Sequence, residues 1–542
     1  MVNSLKKYLS SPLASLLFFL LAIAAKVGIF RSLLEVGNDL LLMMVTTRNW
    51  LAGHGLSIKS TLVNDLAQSA YIPFTGWPPG IHLQIAPFLW IFGEHYVTAV
   101  FFLLIGLTIL FFWILRNLLL LIGFPIWLTN LFLVFQSLVL GRYMDIDNPS
   151  DYAGMIHLLA GLYFICKGLF SEKPTRWNIL AILFLTLAGF TRYQYSPIVI
   201  VIGLSVILLG FVNRKRKWIN IGVLITGSCL SILLLVLGLF LSQHSSGEFY
   251  LAPVKKGFYP SNLLHTYPFM FSPFLNLEFY SVQLSKATGL SYGIVIMIFS
   301  KLNYLLLTFF LGYFFYYIVR TKLKISSAWE AFFVVGGFIT VGSIALVMLL
   351  SLVLGTQLEP LLGKWTFVME ARYFAFPILF IQLVVWRLLF VPSIVSVRRI
   401  LRFLRAFVIL FFVVETAHGG YVLLKKMREL TPLEDLPFKE KEIAFVKEYI
   451  LKHQQIHPEE QIVFTGINRL ICYAANWYEE PALYDALSLN KGNPTASKKT
   501  IIILGIRKQH KVFLREFLMR SDIQLIHSVD QFEFYKYEAG PN

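Results

Sequence analysis

Apolar residues run without a charge over long stretches of this chain, for example from Ile219 to Leu241 and from Phe332 to Leu354. Each stretch is long enough, as a helix, to cross a hydrocarbon core of about 30 Å. Similar runs predict spans at about 10–30, 96–115, 121–141, 152–170, 176–190, 195–212, 218–242, 291–319, 328–354, 373–391 and 403–424. The apolar stretch Gly80 to Gly93 is different: as a helix it would measure roughly 20 Å, too short to cross. Trp77-Pro78-Pro79-Gly80 sets a turn before it, so it reads as a re-entrant or interfacial helix. From about Leu430 the pattern changes again. Charges become frequent, and a helix over Phe438 to Lys452 is followed by strands at Gln461 to Thr465 and Thr500 to Leu504. A helix over Val512 to Met519 and a strand from Phe532 to Tyr537 complete a small α/β domain.

The expected fold is a polytopic α-helical membrane protein of about 11 spans, with a membrane domain over 1–428 and an α/β domain over 429–542. Composition supports it: of 542 residues, 57% are hydrophobic and only 14% charged, against roughly a quarter charged in soluble domains. The formal charge of +17 does not argue for a nucleic-acid partner, because the basic residues lie in short clusters between apolar runs. Those clusters are Lys6/Lys7, Arg116, Lys167/Lys173/Arg176, Arg214 to Lys217, Arg320/Lys322/Lys324, and Arg387 through Arg405. If Gly80 to Gly93 does not cross, all six fall on one side, which the positive-inside rule makes cytoplasmic. Segments 31–95, 142–151, 191–194, 243–290, 355–372 and 425–542 are then outside. Leu13 to Phe30 lacks a small-residue cleavage site and reads as an uncleaved first helix. Cys166, Cys229 and Cys472 are too dispersed for a disulfide framework or a metal motif.

Acidic residues are placed selectively. Residues 1–428 contain five aspartates, Asp39, Asp65, Asp145, Asp147 and Asp151, all in two outer loops. Charges beside a bilayer are costly unless they pair, face water or do chemistry. Asp39, in Gly37-Asn38-Asp39, suits either a helix N-terminus or a base held at the membrane surface. Asp145-Ile-Asp147 could hold a divalent cation through its oxygens, and Asp151 after Ser150 could cap the fourth span.

Taken together these features resemble the GT-C superfamily of membrane glycosyltransferases, in its protein-mannosyltransferase-like and aminoarabinose-transferase-like branch. The resemblance rests on Asp39 opening the first outer loop, on Thr47 to Gly55 as a helix ending in a Gly-x-Gly-like turn, and on Trp77-Pro78-Pro79-Gly80 before a short apolar helix. Ser150-Asp151, Thr191-Arg192 and Glu370-Ala371-Arg372-Tyr373 match further family positions, with Ala371 interrupting the last motif. The resemblance implies an inverting transferase that uses a polyprenyl-phosphate-linked sugar at the outer face. Asp39 would be the base, and Asp145, Asp147 and Asp151 would orient the acceptor or hold a metal. Arg192, Arg372, Lys255 and Lys256 would bind the donor phosphate, with Glu370, Tyr373 and Trp77 supporting them. The implied partners are the lipid-linked donor, membrane lipids and a glycan, lipid or protein acceptor. Metal dependence varies across the superfamily, so Mg²⁺ or Mn²⁺ stays a candidate and no cofactor is assigned. His54 and His82 read as structural, and Glu415 has no assigned role. The rival readings are a secondary transporter or flippase of lipid-linked saccharides, a scaffold whose outer domain binds a partner, and a surface-polysaccharide polymerase or ligase.

Overall fold

The structure, a computed structural model, describes residues 2–62, 65–74, 76–139, 148–243, 257–274, 276–353, 370–391, 398–436, 441–466, 469–484, 486–491 and 496–540. The chain divides into two units, one built mainly of residues 1–33, 104–240 and 252–429, the other mainly of 34–103 and 430–542.

Among the described residues, nine helices are long and apolar enough to cross a membrane: Pro12–Leu33, Tyr96–Leu121, Pro149–Leu169, Tyr195–Val212, Arg216–Leu235, Tyr292–Thr321, Ala328–Val353, Ala371–Phe390 and Arg402–Met427. Two more of the expected spans are shorter apolar helices, Ile126–Leu138 and Thr175–Thr191. The chain is a multi-pass integral membrane protein.

In the first unit, Pro149–Leu169 is the innermost helix: every residue except Lys167 is buried. Its glycines allow close approach, the usual device where lipid offers no hydrophobic drive to helix association. A Cβ at Gly161 would collide with the Leu185 side chain, and one at Gly154 would meet the Tyr195 ring at 2.5 Å. Polar groups inside the helical bundle are satisfied by partners, as the low dielectric demands. Lys26 Nζ donates to the Val139 carbonyl at 2.9 Å, the Gln136 amide donates to Gln382, and Glu415 accepts from the Asn276 N–H at 3.0 Å. Large apolar side chains such as Leu20, Phe309, Phe403 and Leu410 point outward, where acyl chains would cover them.

The last span contains a built-in comparison. A Cβ at Gly419 would collide with the Leu138 carbonyl oxygen, a backbone atom that cannot swing aside, whereas one at Gly420 would meet nothing within 4 Å. Gly419→Ala should therefore lose about 1–3 kcal/mol of stability from overpacking, and Gly420→Ala should lose none. Thermal unfolding of the two variants in one detergent reads the difference.

The second unit is built on a mixed sheet of seven strands among the described residues. These are β1 (Ser57–Leu62), β2 (Asp65–Pro73), β3 (Gln461–Gly466), β4 (Ala482–Leu483), β5 (Thr500–Arg507), β6 (Gln524–Val529) and β7 (Phe532–Ala539). Their order is β2-β1-β4-β3-β5-β7-β6. β5, beside the central β3, is parallel to it and antiparallel to β7, and all but its last residue is buried. Such a continuous Ile-rich run is what a strand covered on both faces requires. The expected strands at 461–465, 500–504 and 532–537 are present and slightly longer. The segment expected as a helix over Val512 to Met519 is a 3-10 turn, Lys508–Leu514, running into one α-turn, Arg515–Leu518.

The unexpected members are β1 and β2, which come from the segment 31–95 between the first two spans. β1 joins the C-terminal strands through Ser60 opposite Ala482. Asn476 seals the join: its Oδ1 accepts from the Lys59 N–H at 2.7 Å and its Nδ2 donates to the Lys59 carbonyl at 2.9 Å. Asp65 fixes β2 by accepting from the Ser497 N–H at 2.8 Å and the Ala67 N–H at 3.0 Å. These bonds to Ser497 hold its carboxyl below the ordinary aspartate pKa. The helix Lys441–Ile456 and the helix Arg469–Trp477, whose residues are buried from Leu470 onward, accompany the sheet.

Candidate active site

Asp39 lies half-buried in the first turn of the helix Asn38–Leu51, with Gly37 as N-cap and no side-chain cap. A carboxylate in this turn is favored by the exposed N–H groups and the helix dipole. The rest of the helix is an anchor: Leu40 through Thr47 are all buried. The short helix Pro79–Phe92 is fastened to this anchor by the fully buried His82, whose Nδ1 lies 2.8 Å from Thr47 Oγ1. Asn49 Nδ2 donates to the Ser57 carbonyl at 2.8 Å, tying the helix to β1. At the far end Arg48 meets Glu94 at 3.3 Å and Glu479 at 3.0 Å, and lies over the Trp477 ring. Trp77 is buried beside Phe74 at 5.3 Å, and His54 stacks on Tyr71 at 3.8 Å. Asp39 is thus a surface carboxylate on a rigid, multiply tethered helix.

Asp151 has a different setting. It sits in the first turn of the innermost helix with its side chain wholly buried. Arg192 grips it with both arms, Nε donating to Oδ1 at 2.5 Å and Nη2 to Oδ2 at 2.8 Å. Arg372 Nη1 approaches Oδ2 at 3.8 Å, while its Nε donates to Glu370 at 2.5 Å. Both guanidinium groups flank the Tyr373 ring, at 5.8 Å and 5.4 Å from its centroid. The exposures set the geometry: Asp151 0%, Arg192 13%, Arg372 19% and Glu370 47%. The carboxylate is therefore behind, the arginines in front of it, and Glu370 at the rim. With each oxygen accepting from Arg192 and no surface of its own, Asp151 is placed to position the arginines.

Beside this cluster lies a small recess of about 10 Å³, its largely apolar walls including Tyr195, Ile198, Val347 and Tyr373 together with the polar Gln194 and Ser343. Asp145, Asp147, Lys255 and Lys256 lie outside the described residues. The second unit holds a further cleft of about 430 Å³, lined in part by Glu94, His95, Glu434, Lys447 and Tyr478. Sequence reasoning missed it because its walls come from three segments distant along the chain.

No protein-family model matches this chain, and no curated protein matches it significantly. Solved structures do. ArnT from Cupriavidus metallidurans in the apo state aligns over 97% of this chain and 99% of its own, with a TM-score of 0.50 and 11% identity. The same protein bound to undecaprenyl phosphate aligns over the same shares, with a TM-score of 0.46 and 12% identity. The apo oligosaccharyltransferase of Archaeoglobus fulgidus aligns over 89% of this chain and 66% of its own, at 0.47 and 12%. The likeness to apo ArnT shows a shared fold, in keeping with the GT-C-like architecture expected from the motifs.

Proposed function

We propose that this protein is a glycosyltransferase that takes a hexosyl or pentosyl group from a polyprenyl-phosphate donor and transfers it, with inversion, to an acceptor at the outer face of the membrane. The observation that carries the reading is the arginine pair braced by a buried carboxylate at the end of an apolar span. A polyprenyl tail needs a greasy slot, and its phosphate needs cations at the slot's mouth. Arg192 and Arg372 supply the cations, and Asp151 holds them in place so that little side-chain entropy is lost on binding. Glu370, half-exposed on Arg372, is the group an incoming phosphate would displace. Tyr373 separates the arginines and borders the recess. A carrier of this class is what the liganded ArnT structure holds.

In the reaction the acceptor hydroxyl or amine attacks the anomeric carbon while Asp39 removes its proton. The bond from that carbon to the phosphate oxygen breaks, the electron pair stays on the phosphate, and Arg192 and Arg372 stabilize the departing charge. Trp77 helps fix the turn before the short helix, and Lys255 and Lys256 would add cations at the phosphate. Asp151, which accepts from Arg192 through both oxygens, serves chiefly to position the arginines. Asp145 and Asp147 keep the role of orienting the acceptor or holding Mg²⁺ or Mn²⁺, and no step above is routed through a cation. The membrane domain 1–428 would carry the donor, and the domain 429–542, with the first outer loop, would stand outside the cytoplasm.

The test is to incubate purified protein in lipid nanodiscs with a panel of radiolabeled polyprenyl-phosphate sugars. Consumption of one donor with release of polyprenyl phosphate supports the reading. Movement of a donor across vesicle membranes without cleavage would instead support a flippase.

A further inference from the structure

The far end of the helix Lys441–Ile456 carries a cluster that the transferase reading does not use. His453 is on its last turn, only 8% exposed, and its Nε2 is buried without a hydrogen-bond partner. An imidazole nitrogen in that state is costly unless something binds it. It points at Glu460, whose Oε2 is 3.6 Å away.

Local backbone structure gathers two further ligands. The His457 N–H donates to the His453 carbonyl at 2.7 Å, so the helical turn continues through His457 and both imidazoles share one face, ring centroids 5.4 Å apart. Pro458 then ends the helix. The Glu460 N–H donates back to the His457 carbonyl at 3.1 Å, which returns the Glu460 side chain to the same spot. Ligand atoms of His457, Glu459 and Glu460 all lie within 4.8 Å of one another. On the opposite side Lys499 holds Glu460 Oε1, leaving Oε2 toward the imidazoles.

We infer that His453, His457 and Glu460 form a binding site for a divalent transition-metal ion of the zinc class, with Glu459 or water in the fourth position. Two imidazoles and a carboxylate suit zinc, nickel or copper rather than magnesium or calcium. Ligands on one tetrahedral zinc are about 3.3 Å apart, taking Zn–N of about 2.0 Å. The His453–Glu460 separation of 3.6 Å already matches, and the exposed His457 and Glu459 need only rotate inward. A bound ion would clamp the end of this helix to the start of β3, one residue beyond Glu460, and so brace the sheet. The alternative, a plain Lys499–Glu460 ion pair, accounts for one glutamate oxygen but leaves His453 Nε2 unexplained.

The experiment uses full-length, tag-free protein in detergent, stripped with chelator and titrated with ZnCl₂ by calorimetry, with Co²⁺ as a spectroscopic probe. Saturable 1:1 binding, a raised thermal midpoint and the visible bands of four-coordinate Co²⁺ are expected. His457→Ala, an exposed position that should fold normally, should weaken zinc binding by at least about tenfold, as should Glu460→Gln. Lys499→Ala, which removes a competing cation, should bind zinc at least as tightly as wild type. Absence of saturable binding, or equal binding by wild type and His457→Ala, would overturn the site.

Discussion

Asp39→Asn is expected to lower sugar transfer by about 10²- to 10⁴-fold, the range that a positioned general base contributes. Folding should hardly change. The substitution keeps the shape of a half-exposed side chain in the first turn of the helix Asn38–Leu51. It gives up the attraction between a carboxylate and the helix N-terminus, roughly 0.3–1 kcal/mol. The helix has other moorings, among them the Thr47–His82 and Asn49–Ser57 bonds. A structural role and a chemical role therefore predict opposite pairs of outcomes. If Asp39 only supports its helix, the thermal midpoint falls slightly and transfer persists. If it is the base, the midpoint holds and single-turnover transfer collapses, while binding of the donor, which Asp39 does not hold, is retained. Wild-type transfer rates in Asp39→Asn would end the catalytic assignment.

Much of the membrane architecture was legible because it rests on a local property, the length of uncharged apolar runs. β3, β5 and β7 were legible for a related reason, since Ile-rich and aromatic runs suit covered strands. β1 and β2 were not. Ser57-Ile-Lys-Ser-Thr-Leu62 is short and half polar, and what makes it a strand is its pairing with β2 and with the distant Ala482. Nor did the sequence reveal the helix Arg469–Trp477, whose Asn476 binds both peptide groups of Lys59. The aspartates and arginines near the ends of spans could be picked out singly, because isolated charges near a bilayer demand an explanation. Their pairing could not, although the signal was present. Asp151 and Arg192 have opposite signs and sit at neighboring ends of consecutive apolar runs, and charges so placed are expected to find each other. By that rule Asp151 belongs with Arg192, the partner that grips it in the structure.

The second large effect arises from that pairing, and it separates folding from chemistry. Asp151→Asn leaves Arg192 and Arg372 without the buried carboxylate between them, with Glu370 at the rim. Arg192→Gln leaves a wholly buried carboxylate with Arg372, at 3.8 Å, as its nearest cation among the described residues. Breaking a buried pair from either side typically costs about 3–5 kcal/mol, so each single variant should unfold at a markedly lower temperature. The double variant, Asp151→Asn with Arg192→Gln, replaces the pair by two neutral amides, leaving no buried charge unpaired, and should recover most of that loss, a coupling read directly by the double-mutant cycle. It should not recover function. With Arg192 gone, one of the two cations for the carrier phosphate is missing, so donor binding should stay weakened by about tenfold or more, in line with the roughly 1.5–3 kcal/mol of a charged hydrogen bond. A double variant that folds like wild type and binds the lipid-linked donor equally well would show that the Asp151–Arg192 pair is architectural, and that the phosphate is held elsewhere.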